Sequence, residues 1–160
     1  MSTRRPSARK SSSSAALKRF VLVASRFNAP ITRRLVRGAT ETFRRHGVVA
    51  SRIRVCWVSG AFELPVAASR IAGSLHPDGI LALGALIKGQ TNQHEVIAHA
   101  VAQGLMHVSV TTGIPVGFGV IVAEDARQAD ARAGGKMGNR GCEAALAVLE
   151  SLRLIEELPG

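Results

Sequence analysis

The feature of this chain that most constrains its fold is a series of short apolar runs that alternate with helical patterns. Residues 20–24 and 79–87 contain no polar side chain, which is typical of strands buried on both faces of a parallel sheet. Residues 53–57 and 115–122 predict two further strands. Because strands and helical segments alternate throughout, the sequence predicts an α/β fold, a three-layer αβα sandwich with a parallel sheet.

The predicted helices have recognisable starts and stops. Pro30 suits the first turn of the first helix, which the spacing of apolar residues extends to a glycine stop at Gly47. A second helix is predicted for residues 65–72, and two more near residues 125–133 and 141–154. The longest helix follows residue 92 and has one apolar face, made by Ile97, Val101, Leu105 and Val108.

The positive charge of the chain is concentrated at its start. The 160 residues carry a formal net charge of +10, but ten of the 21 basic residues lie in the first 40 residues, which contain no acidic residue. The rest of the chain is balanced, with eleven basic and eleven acidic residues. Residues 1–17 are rich in serine, so we predict a disordered basic tail followed by one domain over residues 18–160. The tail is either a solvated extension or a binding element for RNA or other anionic cargo.

Composition excludes several classes of protein. With 46% hydrophobic and 20% charged residues, the chain has enough apolar material for a core. No apolar run approaches the ~20 residues that span a bilayer, and we expect no secretory signal. Cys56 and Cys142 supply neither a disulfide framework nor a zinc-type pair. We therefore expect a soluble, cytoplasmic protein that uses no metal and no dinucleotide cofactor.

Polar or glycine-rich segments follow the predicted strands. Ligands of parallel sheets bind at the carboxyl ends of the strands, so these segments direct the search for chemistry to one edge of the sheet. The segments are residues 26–28, 59–63, 88–92 and those from residue 123 onward.

Three of these segments contain candidate binding residues, and each has an alternative interpretation. Gly89, Gln90 and Thr91 suit a phosphate at a helix N-terminus, or they form an ordinary turn before a helix. Glu63 could accept hydrogen bonds from a polyol, or simply interact favourably with a helix dipole. Phe27 is either a stacking platform at the sheet edge or a core residue.

Two further segments carry candidate chemistry. His94 lies in the first turn of the long helix beside Glu95, where it could transfer protons or be a surface histidine. His94 does not form a metal-type set with the other histidines of the helix. Residues 132–141 place three cations among several glycines, which favours anion binding over a plain connector between helices.

Four motifs in order along the chain resemble the 6,7-dimethyl-8-ribityllumazine synthase family, which acts in the penultimate step of riboflavin biosynthesis. The resemblance extends from about residue 18 to residue 154, and four motifs in register are more specific than any one of them. The motifs are Arg26-Phe27-Asn28, Gly60-Ala61-Phe62-Glu63-Leu64-Pro65, residues 82–91 (ALGALIKGQT), and residues 131–134 (ARAG) with 138–145 (GNRGCEAA).

The resemblance implies a four-stranded parallel sheet with flavodoxin-like winding, assembled as pentamers or as hollow shells of 60 subunits. It implies a transferase that condenses 5-amino-6-(ribitylamino)uracil with 3,4-dihydroxy-2-butanone 4-phosphate and releases water and phosphate. It also implies small-molecule substrates and other copies of the chain as partners, with no cofactor and no membrane. Nucleic acid is a partner only if the basic tail binds it.

The resemblance also implies roles for individual residues. Phe27 would stack on the pyrimidine ring, and the ribityl chain would be held by Ala61, Phe62 and Glu63. The ring pocket would be lined by Leu86 and Ile87. The butanone phosphate would be bound by Gln90, Thr91 and Arg132. Two residues would reach the site of a neighbouring subunit, Phe118 and Arg140.

One departure from the family pattern concerns the proton-transfer residue. The family commonly has Thr-x-His-(Phe/Tyr)-(Asp/Glu) at the start of the helix, whereas this chain has Thr91-Asn92-Gln93-His94-Glu95. We predict that His94 is the catalytic residue, with Glu95 as an orienting acid and Gln93 as a substrate-binding residue. The alternative is proton transfer through water and the substrate phosphate. A second departure, Ser59 in place of the usual Pro, is expected to be mild.

Three functions therefore compete at this point. The four motifs favour the enzyme. The shift from Gln93 to His94 favours a homologue that binds flavin or lumazine with weak or no catalysis. The basic tail favours a cage-forming or nucleic-acid-binding protein.

Overall fold

The fold is described by a computed structural model, which covers residues 14–160. Four parallel strands form one sheet in the order β2-β1-β3-β4. The strands are β1 (Phe20–Ser25), β2 (Ile53–Val58), β3 (Gly79–Ile87) and β4 (Val116–Ala123). Each predicted strand is present, and the order is the flavodoxin-like winding that the resemblance implies.

Five helices connect and flank the strands in the described part of the chain. They are α1 (Ala29–Arg45), α2 (Leu64–Leu75), α3 (Gln93–Thr112), α4 (Ala126–Arg132) and α5 (Arg140–Glu157). Short 3-10 turns precede β2 (Ala50–Arg52) and α2 (Ala61–Glu63). The five predicted helices are therefore confirmed, with ends that differ by a few residues.

The helices divide between the two faces of the sheet and produce the three layers. On one face, Leu22 and Leu83 pack in a cluster with Leu35 of α1 and Val148 of α5. On the other face, the alternate strand residues pack in a second cluster with α2 and α3; this cluster includes Val23, Ile80, Ala82, Leu64, Val101 and Leu105. The alternation follows from the two-residue period of a strand, so the predicted αβα sandwich is confirmed.

The glycine-rich connection between α4 and α5 contains secondary structure of its own. It forms a small antiparallel hairpin of β5 (Ala133–Gly135) and β6 (Gly138–Asn139). Gly134 and Gly138 have φ angles of 103° and 80°, which a residue with a Cβ rarely adopts. The Asn139 side chain then accepts the backbone N–H groups of Gly141 and Cys142 and caps α5.

The predicted basic tail is only partly within the structure. Residues 1–13 lie outside the described residues, and residues 14–17 form a helical turn. Arg52 donates a hydrogen bond to the carbonyl of Leu17 over 3.2 Å. Within residues 14–160, no helix is both long enough and apolar enough to cross a lipid bilayer.

The contact between α1 and α5 depends on a glycine and provides a test of the fold. A Cβ added at Gly141 would overlap the backbone carbonyl oxygen of Leu35 in α1. We expect Gly141→Ala to lower the free energy of unfolding by about 1–3 kcal/mol, because backbone atoms cannot move aside as a flexible side chain can. Urea denaturation measures the change.

Gly73 in α2 is the matched control, because a Cβ there has no atom within 4 Å among the described residues. Gly73→Ala is expected to raise the free energy of unfolding by about 0.5–1 kcal/mol, since alanine loses less backbone entropy in a helix. Equal effects of the two substitutions would contradict the packing that the structure shows for α5.

Candidate active site

A cleft of about 440 Å³ opens at the carboxyl ends of β1 and β3 and is called the rim cleft below. Its lining is Phe27, Leu86, Ile87, Gly89, Gln90, Thr91, Gln93, His94 and Ile97. Connections from β1 and β3 leave toward opposite faces of the sheet, because α1 and α3 belong to different layers. Parallel sheets bind ligands in the crevice that such a reversal creates.

The aromatic side of the rim cleft is formed by the loop after β1. The backbone N–H groups of Arg26 and Phe27 donate to the carbonyls of Val58 and Ser59 over 2.8 and 3.0 Å. This pairing extends the contact with β2 beyond the end of the strand. The Phe27 side chain is 70% exposed, so its ring is available to a ligand and is not part of the core.

Asn28 fixes this loop against β3. Its φ of 61° lies in the left-handed region, which asparagine tolerates better than most residues. Its side-chain amide donates to the carbonyl of Ala85 over 2.8 Å. The pairing of β1 with β3 ends at Ala24 and Leu83, so the amide supplies a hydrogen bond beyond the end of the ladder.

The opposite side of the rim cleft is polar and ends at the N-terminus of α3. Gln90 and Thr91 are exposed there, and the Thr91 hydroxyl accepts the backbone N–H of Gln93 over 3.4 Å. The backbone N–H of Lys88 donates to the carbonyl of Ala123 over 2.9 Å, which ties the start of the loop to β4. Since α3 has 20 residues, its N-terminus presents N–H groups and a positive dipole end to the cleft.

Gln93 and His94 both line the rim cleft, but they differ in burial. Gln93 is exposed, whereas His94 is 6% exposed and lies on the inner face of α3. The Nδ1 atom of His94 is buried and has no hydrogen-bond partner among residues 14–160. A buried polar atom without a partner is uncommon in proteins and often marks a functional site.

Two carboxylates approach the His94 ring. One ring nitrogen of His94 and one carboxylate oxygen each of Glu95 and Glu124 lie within 4.8 Å of one another. These groups are the ligand types of a metal site, but Glu124 already pairs with the ammonium of Lys88 over 3.2 Å. Sequence reasoning considered Glu95 and missed Glu124; the available signal was its position directly after β4, where the fourth polar segment begins.

Glu63 and its neighbours line a second cleft beside the first. This cleft of about 470 Å³ is lined by Phe62, Glu63, Pro65, Val66, Ala100 and Val101. The Glu63 carboxylate accepts the backbone N–H of Gly60 over 2.9 Å, and Ala61 is buried beneath the turn. The two clefts share α3, because Ile97 lines one and Ala100, one turn later, lines the other.

The remaining predicted site residues do not line the rim cleft. Phe118 is near the amino end of β4 and lines a separate cavity with residues of α5. Arg132, at the end of α4, donates to the carbonyl of Gln128 over 3.2 Å. Arg140 pairs with Glu143 over 3.1 Å. The structure therefore gathers seven predicted residues in the rim cleft and places Phe62 and Glu63 next to it.

The hydrogen bond between Asn28 and Ala85 can be tested by a nearly isosteric change. In Asn28→Asp an acceptor replaces the donor that faces the Ala85 carbonyl, so we expect the free energy of unfolding to fall by about 1–3 kcal/mol. Asn92→Asp is the matched control, because Asn92 precedes α3 and makes no side-chain capping bond in the described structure. Urea denaturation near pH 7 compares them, and an equal loss in both variants would contradict the assigned bond.

Known proteins provide an independent comparison. The family model for 6,7-dimethyl-8-ribityllumazine synthase matches residues 17–156. A relative named 6,7-dimethyl-8-ribityllumazine synthase from Leuconostoc mesenteroides is 41% identical over 88% of this chain and 90% of its own length. Relatives of the same name from Halorhodospira halophila and Nitratidesulfovibrio vulgaris are each 44% identical over the same shares. The chain therefore belongs to the 6,7-dimethyl-8-ribityllumazine synthase family.

Proposed function

We propose that the protein condenses 5-amino-6-(ribitylamino)uracil with 3,4-dihydroxy-2-butanone 4-phosphate to form 6,7-dimethyl-8-ribityllumazine. This is the penultimate step of riboflavin biosynthesis. Besides family membership, one structural observation carries the proposal. The rim cleft combines an exposed aromatic ring, the N-terminus of a long helix and a buried histidine within about 440 Å³.

The pyrimidine binds between Phe27 and the end of β3 in this proposal. The exposed Phe27 ring offers a stacking surface, and Leu86 and Ile87 supply an apolar wall. The ribityl chain then extends along α3 into the second cleft, where Glu63 accepts its hydroxyl groups. Backbone amides of the turn over residues 61–63 assist this binding in the same proposal.

The phosphate of the second substrate binds at the N-terminus of α3. The space beside Gly89 is open, with no described atom within 4 Å of the position that a Cβ would take, so the phosphate can approach the backbone there. Gln90 and Thr91 add side-chain donors, and the helix dipole favours the negative charge. Arg132 does not line the rim cleft of its own chain, so in this proposal a neighbouring chain's guanidinium at this position reaches the phosphate and helps to stabilise the charge of the leaving group.

His94 moves the protons that the condensation requires. Schiff-base formation removes two protons from the attacking amine and delivers two to the carbonyl oxygen, which leaves as water. The imidazole of His94 accepts a proton from nitrogen and returns it to oxygen, without any redox step. Loss of phosphate needs proton removal from carbon, and the C–O electron pair leaves with the phosphate.

The assembly proposed is a homo-oligomer, either a pentamer or a shell of 60 subunits, in the cytoplasm. Phe118 and Arg140 lie outside the rim cleft of their own chain, and in the proposed assembly they complete the site of a neighbour. Exposed apolar side chains on α3 and on the edge strand β4 support such contacts; they include Val96, Met106, Val110, Phe118 and Val122.

The assignment of His94 is tested by substituting the two adjacent residues separately. His94→Ala is expected to lower kcat by about 10²–10⁴-fold, the usual contribution of a positioned proton donor or acceptor. Gln93→Ala is expected to change KM more than kcat, because Gln93 contacts substrate without moving a proton. The absorbance of the lumazine product follows the reaction when both substrates are mixed.

Loss of turnover in Gln93→Ala with normal turnover in His94→Ala would show that residue 93, where the family commonly has its histidine, has kept the catalytic role. Absence of lumazine with the unaltered protein, combined with tight binding of lumazine, would support a binding protein instead of an enzyme.

Light scattering of the purified full chain tests the proposed assembly. We expect a mass of five or sixty chains of 16.9 kDa each. We also expect Phe118→Ala to reduce activity, because its ring would be missing from a neighbour's site. A monomer with full activity would contradict a site shared between subunits.

A further inference from the structure

We propose that Glu124 is a positioning residue for His94, and that it orients the imidazole and stabilises its protonated form during turnover. The proposal rests on the proposed function, because it assigns a partner to the group that moves protons in that reaction. The carboxylate of Glu124 acts through His94 and makes no contact with substrate in this scheme.

The first support is the distance between groups on different elements. A Glu124 carboxylate oxygen and a ring nitrogen of His94 lie within 4.8 Å of each other. Glu124 follows the end of β4, whereas His94 is in the first turn of α3. Catalytic hydrogen bonds are often long in a ligand-free site and shorten when charge develops, so this spacing suits a bond that forms as the imidazole gains a proton.

The second support is that Glu124 is held in place. Its backbone N–H donates to the side-chain oxygen of Gln128 over 2.9 Å. Its carboxylate pairs with the ammonium of Lys88 over 3.2 Å. The preceding residue, Ala123, accepts the backbone N–H of Lys88. The backbone of Glu124 is therefore tied to its neighbours at the end of β4, and its carboxylate, on a side chain that is 56% exposed, is oriented by the ion pair with Lys88.

The third support is that the His94 ring needs such a partner. Its Nδ1 has no hydrogen-bond partner among the described residues, so that atom does not fix the orientation of the ring. Glu95 also approaches the ring, but it is the next residue of the same helix and moves together with His94. Glu124 is the carboxylate in this cluster that can fix the ring relative to the sheet.

The proton balance of the step is simple. The imidazole of His94 takes one proton from the attacking nitrogen and becomes a cation, while Glu124 stays ionised and gains a charge-assisted contact. The cation then returns the proton to the oxygen that leaves as water. Glu124 neither gains nor loses a proton over the cycle.

The test compares three substitutions in the full chain. Glu124→Gln removes the charge with little change of size, and we expect kcat to fall by roughly 10- to 100-fold with KM changed less than about twofold. Glu124→Asp keeps the charge on a shorter side chain and is expected to restore part of the lost kcat. In a His94→Ala background, Glu124→Gln is expected to change kcat by less than about twofold, because its partner is absent.

Two controls separate this role from a structural one. Glu41→Gln removes a carboxylate that pairs with Arg45 on the surface of α1, so it repeats the chemical change away from the cleft. Lys88→Met removes the ion-pair partner that helps to hold the Glu124 carboxylate. We expect Glu41→Gln to keep kcat within about twofold of the unaltered protein, and Lys88→Met to lower kcat less than Glu124→Gln does, because the carboxylate is still present. A Glu41→Gln variant that loses as much kcat as Glu124→Gln would overturn the proposal, as would additive effects of Glu124→Gln and His94→Ala.

A spectroscopic readout is independent of turnover. With ¹⁵N-labelled histidine, the ring signals of His94 in the substrate-free protein are identified by their loss in His94→Ala. We expect these signals to shift in Glu124→Gln and to stay unchanged in Glu41→Gln. A shift without any lumazine formation would leave the pairing intact and refute the proposed function, whereas unchanged signals would refute the pairing.

Discussion

The site depends on the reversal of strand order between β1 and β3. These two strands are neighbours in the sheet, but the chain leaves β1 toward the layer of α1 and leaves β3 toward the layer of α3. The connections diverge, so the carboxyl ends of the strands are left uncovered and a crevice opens between them. The bond from Asn28 to Ala85 holds the two sides of this crevice together.

This arrangement places groups of different chemistry on the two sides of the rim cleft. The loop after β1 is held by backbone pairing with β2, and it leaves an aromatic ring in solvent. The loop after β3 leads into a long helix, whose N-terminus favours anions. A heterocycle and a phosphate can therefore bind side by side, which is the requirement for a condensation in which phosphate is the leaving group.

Gln93 and His94 are neighbours in the sequence but lie in different surroundings. Adjacent positions on a helix differ by about 100° in direction, so Gln93 lies on the exposed side of α3 and His94 on its inner face. Burial removes water as a partner, so a buried imidazole needs polar partners from the protein, and an imidazolium formed during turnover needs a nearby negative charge. Glu124, at the end of β4, lies where it can supply that compensation.

Much of the fold and part of the candidate site can be predicted from the sequence alone. The strands, the helices and the residues that end them follow from local periodicity, and Phe27, Thr91 and His94 were identified because they follow apolar strands. The family motifs indicate the reaction, and the match to the family model agrees with this interpretation. What the tertiary structure alone decided is which residues meet. The separation of Glu63 from the rim cleft and the approach of Glu124 to His94 depend on contacts between distant segments. Local patterns do not encode such contacts, because they arise only when the helices pack on the two faces of the sheet.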